Sequence, residues 1–228
     1  MVICAILAGG VGNRAGAEVP KQFLDMSGKT LIERTVDVFE RHPRVDRILV
    51  VCHPEHMERM EDIRQRSGSK KWSQVIEGGS ERYLSSYAAV KACTDDDDTI
   101  LIHDAARPFV SQELISHLID ATEEYGAAVP VIQLSDTLLS ADGNFVKCAE
   151  KRQNFRLAQT PQAFRVSLIR SAFEAAIKDV NLCVTDDCGI FLQANPQARI
   201  KMVDGELSNL KLTYHTDIEK FNKIFSEK

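Results

Sequence analysis

Short, nearly continuous apolar runs alternate along this 228-residue chain with longer segments whose apolar positions recur at helical spacing. The runs at residues 2–7, 47–52, 74–77, 99–103, 127–133 and 199–203 have the length and apolar content of strands. Between them, residues 30–41, 56–66, 80–93, 112–125, 166–178, 186–194 and 215–225 carry the period of helices. This alternation predicts an α/β fold, a mostly parallel sheet covered by helices on both faces, with residues 1–228 forming one domain. Residues 135–147 break the rhythm, reading as two short strands around Asp142-Gly143-Asn144. A hairpin arm spanning 134–151 that exposes apolar residues predicts packing on a second subunit in a symmetric dimer, the plainer alternative being a surface hairpin.

Composition narrows the class. With 44% hydrophobic residues the chain can bury one substantial core without disulfides or structural metal. A formal charge of −5 argues against a nucleic-acid partner, which requires a net basic face. No stretch approaches the roughly 20 apolar residues of a membrane span, and Met1 leads straight into strand-like sequence, so a cytoplasmic protein is expected. The six cysteines, Cys4, Cys52, Cys93, Cys148, Cys183 and Cys188, are scattered without a Cys-x-x-Cys pair and read as reduced, buried thiols. Asp95–Asp98 reads as a solvated turn, His53 and His56 as a helix-entry loop, and Trp72 beside Lys70-Lys71 as a surface turn.

The candidate chemistry begins where the first strand ends. Leu7-Ala8-Gly9-Gly10-Val11-Gly12-Asn13-Arg14 is followed by Pro20-Lys21-Gln22-Phe23. Glycines let the backbone approach a polyphosphate and aim N–H groups at it, while Arg14 and Lys21 add mobile positive charge. The dinucleotide fingerprint is excluded, because Gly10-Val11-Gly12-Asn13-Arg14-Ala15 lacks its third glycine. A Walker loop fails as well, since Gly28-Lys29-Thr30 has Phe23 where the leading glycine belongs.

Two further constellations also follow strands, where ligands bind in open α/β sheets. In Glu77-Gly78-Gly79-Ser80-Glu81-Arg82, with Ser85 and Ser86 one turn on, exposed backbone groups can read the edge of a flat base, and Ser80 can cap the helix. In His103-Asp104-Ala105-Ala106-Arg107-Pro108 the acid can reach a metal that bridges phosphates and the arginine can pair with an oxyanion, unless Asp104 and Arg107 satisfy each other. Arg152, the Gln159–Phe164 turn, Thr185-Asp186-Asp187 and Asn209-Leu210-Lys211-Leu212-Thr213 add polar side chains later in the chain.

These motifs, in this order across nearly the whole chain, resemble the cytidylyltransferases that act on polyol phosphates. The resemblance implies a Rossmann-like nucleotidyltransferase three-layer sandwich with a protruding dimerisation arm. It also implies transfer of CMP from CTP to a polyol phosphate, releasing pyrophosphate, with Mg²⁺. By the same resemblance Arg14 and Lys21, assisted by Lys211, would stabilise charge at the α-phosphorus. Asp104 would lie by Mg²⁺ and the ribose. Ala8, Gly9, Gly79, Ser80 and Ser85 would frame the cytosine, and Leu7, Gly10, Gly12, Arg82 and Ala105 would complete the nucleotide site. Arg107 and Thr185 would lie near the polyol, while Thr137 and Arg152 would reach the acceptor phosphate in the neighbouring subunit.

The Ala8-Gly9-Gly10 form and the segments 81–86 and 185–189 resemble the ribitol 5-phosphate branch more than the methylerythritol 4-phosphate branch, in which Ala-Ala-Gly is commoner at the first position. D-ribitol 5-phosphate is therefore the expected acceptor, with 2-C-methyl-D-erythritol 4-phosphate the alternative. Two further readings stand beside these: a regulatory module that binds nucleotide without turnover, and a sugar-1-phosphate nucleotidyltransferase that uses another base.

Overall fold

The computed structural model describes residues 1–10, 19–179, 182 and 184–227. Strand β1 (Val2–Ala8) runs parallel to β2 (Arg47–Cys52) on one side and to β4 (Thr99–Asp104) on the other, with β3 (Trp72–Glu77) beyond β2. Across the sheet lie β5 (Ala127–Ile132), β9 (Gln162–Arg165) and β10 (Lys201–Asp204), giving the order β10-β5-β9-β4-β1-β2-β3, and the two-residue β8 (Leu157–Ala158) adds to β5. Strand β9 is antiparallel to both β4 and β5, and β8 is antiparallel to β5; the remaining pairs are parallel.

Both faces of β1 are buried, which is why its sequence reads as an unbroken apolar run. Cys4, Ile6 and Ala8 enter one layer with α1 (Leu31–Glu40), α2 (Met57–Ser67) and α4 (Gln112–Tyr125). Ile3, Ala5 and Leu7 enter the other with α3 (Arg82–Lys91), α5 (Val166–Ala176) and α6 (Asp187–Ala194). Each fully buried Ile, Leu or Phe removes enough apolar area to contribute about 1.5–3 kcal/mol. A third cluster joins Met26 and Leu31 to Leu212 and to Phe221 of α7 (Asp217–Ser226), bringing the C-terminal segment beside the start of α1. The Walker-like Gly28-Lys29-Thr30 is turn and cap: Gly28 has φ +86°, and Thr30 and Glu33 form a reciprocal capping box on α1.

Four expectations change. The Gln159–Phe164 turn contains β9, whose Ala163 and Phe164 are buried between β4 and β5; four residues just after Pro161 offer too little pattern to announce a strand. Trp72 is no surface turn: it opens β3, opposite Ile48, and is 1% exposed. Asp98 is buried rather than solvated and accepts from the Met1 amine at 2.5 Å. Cys4, Cys52, Cys93 and Cys188 are buried free thiols, but Cys148 is exposed, and Cys183 lies outside the described residues.

The hairpin forms as expected, from β6 (Leu139–Asp142) and antiparallel β7 (Phe145–Ala149), with Gly143 at φ +57° in the turn. Among the described residues these two strands pair only with each other. Phe145, at 80% exposure, and its neighbour Val146 face away from the core.

Candidate active site

Strands β2 and β4 flank β1 on opposite sides, so the chain reverses direction across the sheet at β1. A cleft of about 460 Å³ opens at the carboxyl ends of β1 and β4, the place such a switch point favours. Its walls carry Leu7, Ala8, Gly9 and Gly10 from the end of β1, and Gly79, Ser80, Arg82 and Ser85 from the start of α3. Lys21, Asp104, Ala105 and Lys211 complete the expected nucleotide set found there. Gly12 and Arg14 lie outside the described residues.

The glycines at 78 and 79 have a steric reason. A Cβ at Gly79 would sit 2.3 Å from Leu84 Cβ, and one at Gly78 would sit 2.7 Å from Ser85 Oγ and 3.2 Å from the Cys52 carbonyl oxygen. Only glycine lets this segment lie flat on the first turn of α3. Ser80 does not cap that helix, which starts later, with Glu81 at the cap position and no side-chain cap bond. Ser80 therefore stays on the cleft wall, and Ser85 is buried beside it.

The electrostatic centre is Asp104, the last residue of β4. Lys211 Nζ donates to its Oδ2 at 2.6 Å, and Arg82 donates to its Oδ1 through Nη2 at 3.3 Å and Nε at 3.4 Å. Burial pushes the Asp104 carboxyl upward, but Arg82 and Lys211 outweigh it and hold the group well below the usual carboxylate range. Asp104 thus stays ionised. Arg82 also donates through Nη1 to Asp187 Oδ2 at 2.8 Å. Asp187 is fully buried, and burial raises its carboxyl more than Arg82 lowers it. Lys21 Nζ lies 3.4 Å from the Leu212 carbonyl oxygen and 3.3 Å from that of Thr213, so both lysines meet at the segment 211–213. The pairing of Asp104 with Arg107 does not occur: Arg107 Nη1 donates to the Asn209 carbonyl at 2.8 Å instead, and burial lowers the guanidinium.

The residues expected around the acceptor are not gathered on the cleft wall of this chain. Thr137, Arg152 and Thr185 are exposed, and Arg152 Nη1 donates to the Ser135 carbonyl at 2.6 Å at the root of the arm. Asp186, next to Thr185, caps α6 by accepting from the Gly189 N–H at 2.9 Å. Sequence reasoning gave no role to Asp187, His103, Thr160 or Asn209, all of them buried. Asp187 was hidden behind its neighbour's capping signal. The others belong to recognised motifs, but their partners come from other motifs distant in sequence. His103 is held neutral, because burial pushes its imidazole down to about 4.

A mostly parallel sheet with a glycine-lined cleft at its switch point, two lysines and one ionised aspartate suits an enzyme of nucleotidyl transfer. The family model described as IspD, 2-C-methyl-D-erythritol 4-phosphate cytidylyltransferase, matches residues 2–227. The 2-C-methyl-D-erythritol 4-phosphate cytidylyltransferase of Thermobifida fusca is 39% identical over 95% of this chain and 90% of its own length. The bifunctional ribulose 5-phosphate reductase/CDP-ribitol pyrophosphorylase Bcs1 of Haemophilus influenzae is 34% identical over 98% of this chain, which spans 48% of that longer protein. Among solved structures, the 4-diphosphocytidyl-2C-methyl-D-erythritol synthase of Anaerococcus prevotii superposes with a TM-score of 0.84 at 27% identity, covering 99% of this chain and 98% of that one. The chain belongs to the 2-C-methyl-D-erythritol 4-phosphate cytidylyltransferase family and is a CTP-dependent cytidylyltransferase.

Proposed function

We propose that this enzyme transfers CMP from CTP to 2-C-methyl-D-erythritol 4-phosphate, releasing pyrophosphate. The observation that supports this acceptor is the 39% identity to a protein of that name over 95% of the chain. It replaces D-ribitol 5-phosphate, the acceptor favoured by short segments of sequence. Ribitol 5-phosphate stays as the second reading because of the 34% identity to a protein that carries a CDP-ribitol pyrophosphorylase.

In this reading an oxygen of the acceptor's phosphate attacks the α-phosphorus of CTP, a new P–O bond forms, and the bond to pyrophosphate breaks. The nucleophile is already anionic, so the enzyme must align two anions and offset their repulsion, which calls for cations rather than a general base. Lys21 and Lys211 supply that charge from the described cleft, and Arg14 is assigned to the same task. Gly79, Ser80 and Ser85 frame the base.

Asp104 suits Mg²⁺ by the chemistry of its donor: it is ionised, at a strand end, and magnesium at nucleotide sites takes one or two protein carboxylates plus phosphate oxygens and water. Asp104 would hold the ion, which would supply positive charge to offset that of the phosphates. Lys211 and Arg82 meanwhile fix the direction of that carboxylate. Residues 1–228 then act as one nucleotidyltransferase domain whose arm, 134–151, packs on a second copy and carries Thr137 and Arg152 toward the neighbour's acceptor, where Arg107 and Thr185 also contribute. No helix among the described residues is long and apolar enough to cross a membrane, and dependence on CTP supports a cytoplasmic reaction.

The test is pyrophosphate release from CTP and Mg²⁺ with each acceptor in parallel. Release with 2-C-methyl-D-erythritol 4-phosphate at least tenfold above that with ribitol 5-phosphate is expected. The reverse preference would restore the second reading, and no release with either would reject both acceptors.

A further inference from the structure

Four residues from three separate segments close a ring of hydrogen bonds beneath the Asp104 turn. His103 Nε2 lies 2.9 Å from the Arg107 carbonyl oxygen, Arg107 Nη1 donates to the Asn209 carbonyl at 2.8 Å, and Asn209 Nδ2 donates to the Thr160 carbonyl at 2.9 Å. Thr160 Oγ1 closes the circuit 3.1 Å from His103 Nδ1, and the same oxygen accepts the backbone N–H of Asp104 at 3.1 Å. The directions are forced. A carbonyl can only accept, so His103 carries its proton on Nε2. Its Nδ1 must then accept, and the Thr160 hydroxyl must donate to it. His103 is 0% exposed, Asn209 1% and Thr160 5%, so each broken link would leave a polar group unpaired out of reach of water.

We infer that His103 and Asn209, joined through Thr160, are positioning residues for cytidylyl transfer. Every member of the ring lies next to a charged group of the site. Asp104 follows His103 and is pinned by its own N–H, Arg107 is held at both its carbonyl and its guanidinium, and Asn209 leads into the segment whose Leu212 N–H donates to the Ala106 carbonyl at 2.9 Å. Lys211 is therefore suspended between two tethered points. The ring sets the distance between Asp104 and Lys211 without touching either side chain. Reacting groups held in place by such a supporting layer lose rate steeply when the layer loosens.

This inference rests on the transfer reaction proposed above, and its test separates the two. The variants are His103→Gln, Asn209→Ala and their double, with Thr160→Val and the conservative Thr160→Ser as a second pair. Turnover is read with both acceptors, CTP affinity by calorimetry, and folding by melting temperature. Each disruptive variant should lower kcat about 10- to 100-fold while CTP affinity changes less than about 3-fold. Thr160→Ser should retain the rate that Thr160→Val loses. The double variant should lose little more than the worse single one, because one broken ring cannot be broken again. Unchanged kcat in folded Thr160→Val, or losses that multiply in the double variant, would overturn the inference while leaving the reaction intact. Absence of turnover in the unaltered enzyme would sink the reaction reading, and this inference with it.

Discussion

The turn at Asp104 and the hairpin of β6 and β7 handle their surfaces in opposite ways. At the turn, charged groups are drawn inward and matched within the chain: Asp104 meets Lys211 and Arg82, and Arg82 meets the buried Asp187. At the hairpin, apolar groups are pushed outward, with Phe145, Val146 and Leu139 exposed on strands that, among the described residues, pair only with each other. A buried charge cluster is tolerated only when its members satisfy one another, so the turn has little freedom. An exposed apolar ribbon gains stability only from another surface, so the hairpin's shape points beyond its own chain. The two regions teach which groups one polypeptide satisfies by itself and which, in the proposed dimer, a second copy would cover.

The comparison breaks most severely if the turn's charge is removed. Asp104→Asn keeps the shape but leaves Lys211 and Arg82 facing a neutral amide. We expect kcat to fall roughly 10²–10³-fold, as when a preorganised electrostatic partner is lost, with circular dichroism unchanged. A rate within threefold of the original would show that this carboxylate is a structural pair only.

A smaller effect sharpens the contrast through pH. His103 is fully buried and its imidazole is pushed down to about 4 by burial, against about 6.5 for an unfolded histidine. Between these values the unfolded chain binds the extra proton, so stability should fall as pH drops from about 6.5 toward 4, by on the order of 2–3 kcal/mol. Asp187, whose carboxyl is raised by burial, takes up a proton more readily in the folded state and so opposes this trend as pH falls. Urea midpoints across that window should shift less in His103→Gln than in the original chain. Identical slopes would mean that other groups govern the acid limit.

The smallest expected effect on the fold lies in the arm. Changing Phe145 and Val146 to serine removes exposed apolar area and should change the unfolding free energy of the single chain by little, within about 0.5 kcal/mol. The same change should weaken self-association, which sedimentation can follow against concentration. Unaltered association would remove the arm from the interface.

How far the sequence revealed all this follows the same division. The parallel strands were legible because burial on both faces writes a continuous apolar run, and the arm was legible through Asp142-Gly143-Asn144. Lys21, Gly79 and Asp104 were legible because each belongs to a short glycine-rich or charged motif at or beyond the carboxyl end of a strand. Strand β9 was not, since four residues after a proline carry too little pattern, and Trp72 misled because its lysine neighbours masked a buried position. The hydrogen-bond ring was least legible of all: His103, Thr160 and Asn209 look unremarkable alone, and only folding brings their segments together.

The most direct test of the cleft as the site of transfer is pyrophosphate release from CTP and 2-C-methyl-D-erythritol 4-phosphate in Lys21→Ala beside the unaltered enzyme, at equal folded concentration. Turnover by the unaltered enzyme and a loss of roughly 10²-fold or more in the variant is the predicted result. Equal rates in two folded proteins would contradict it.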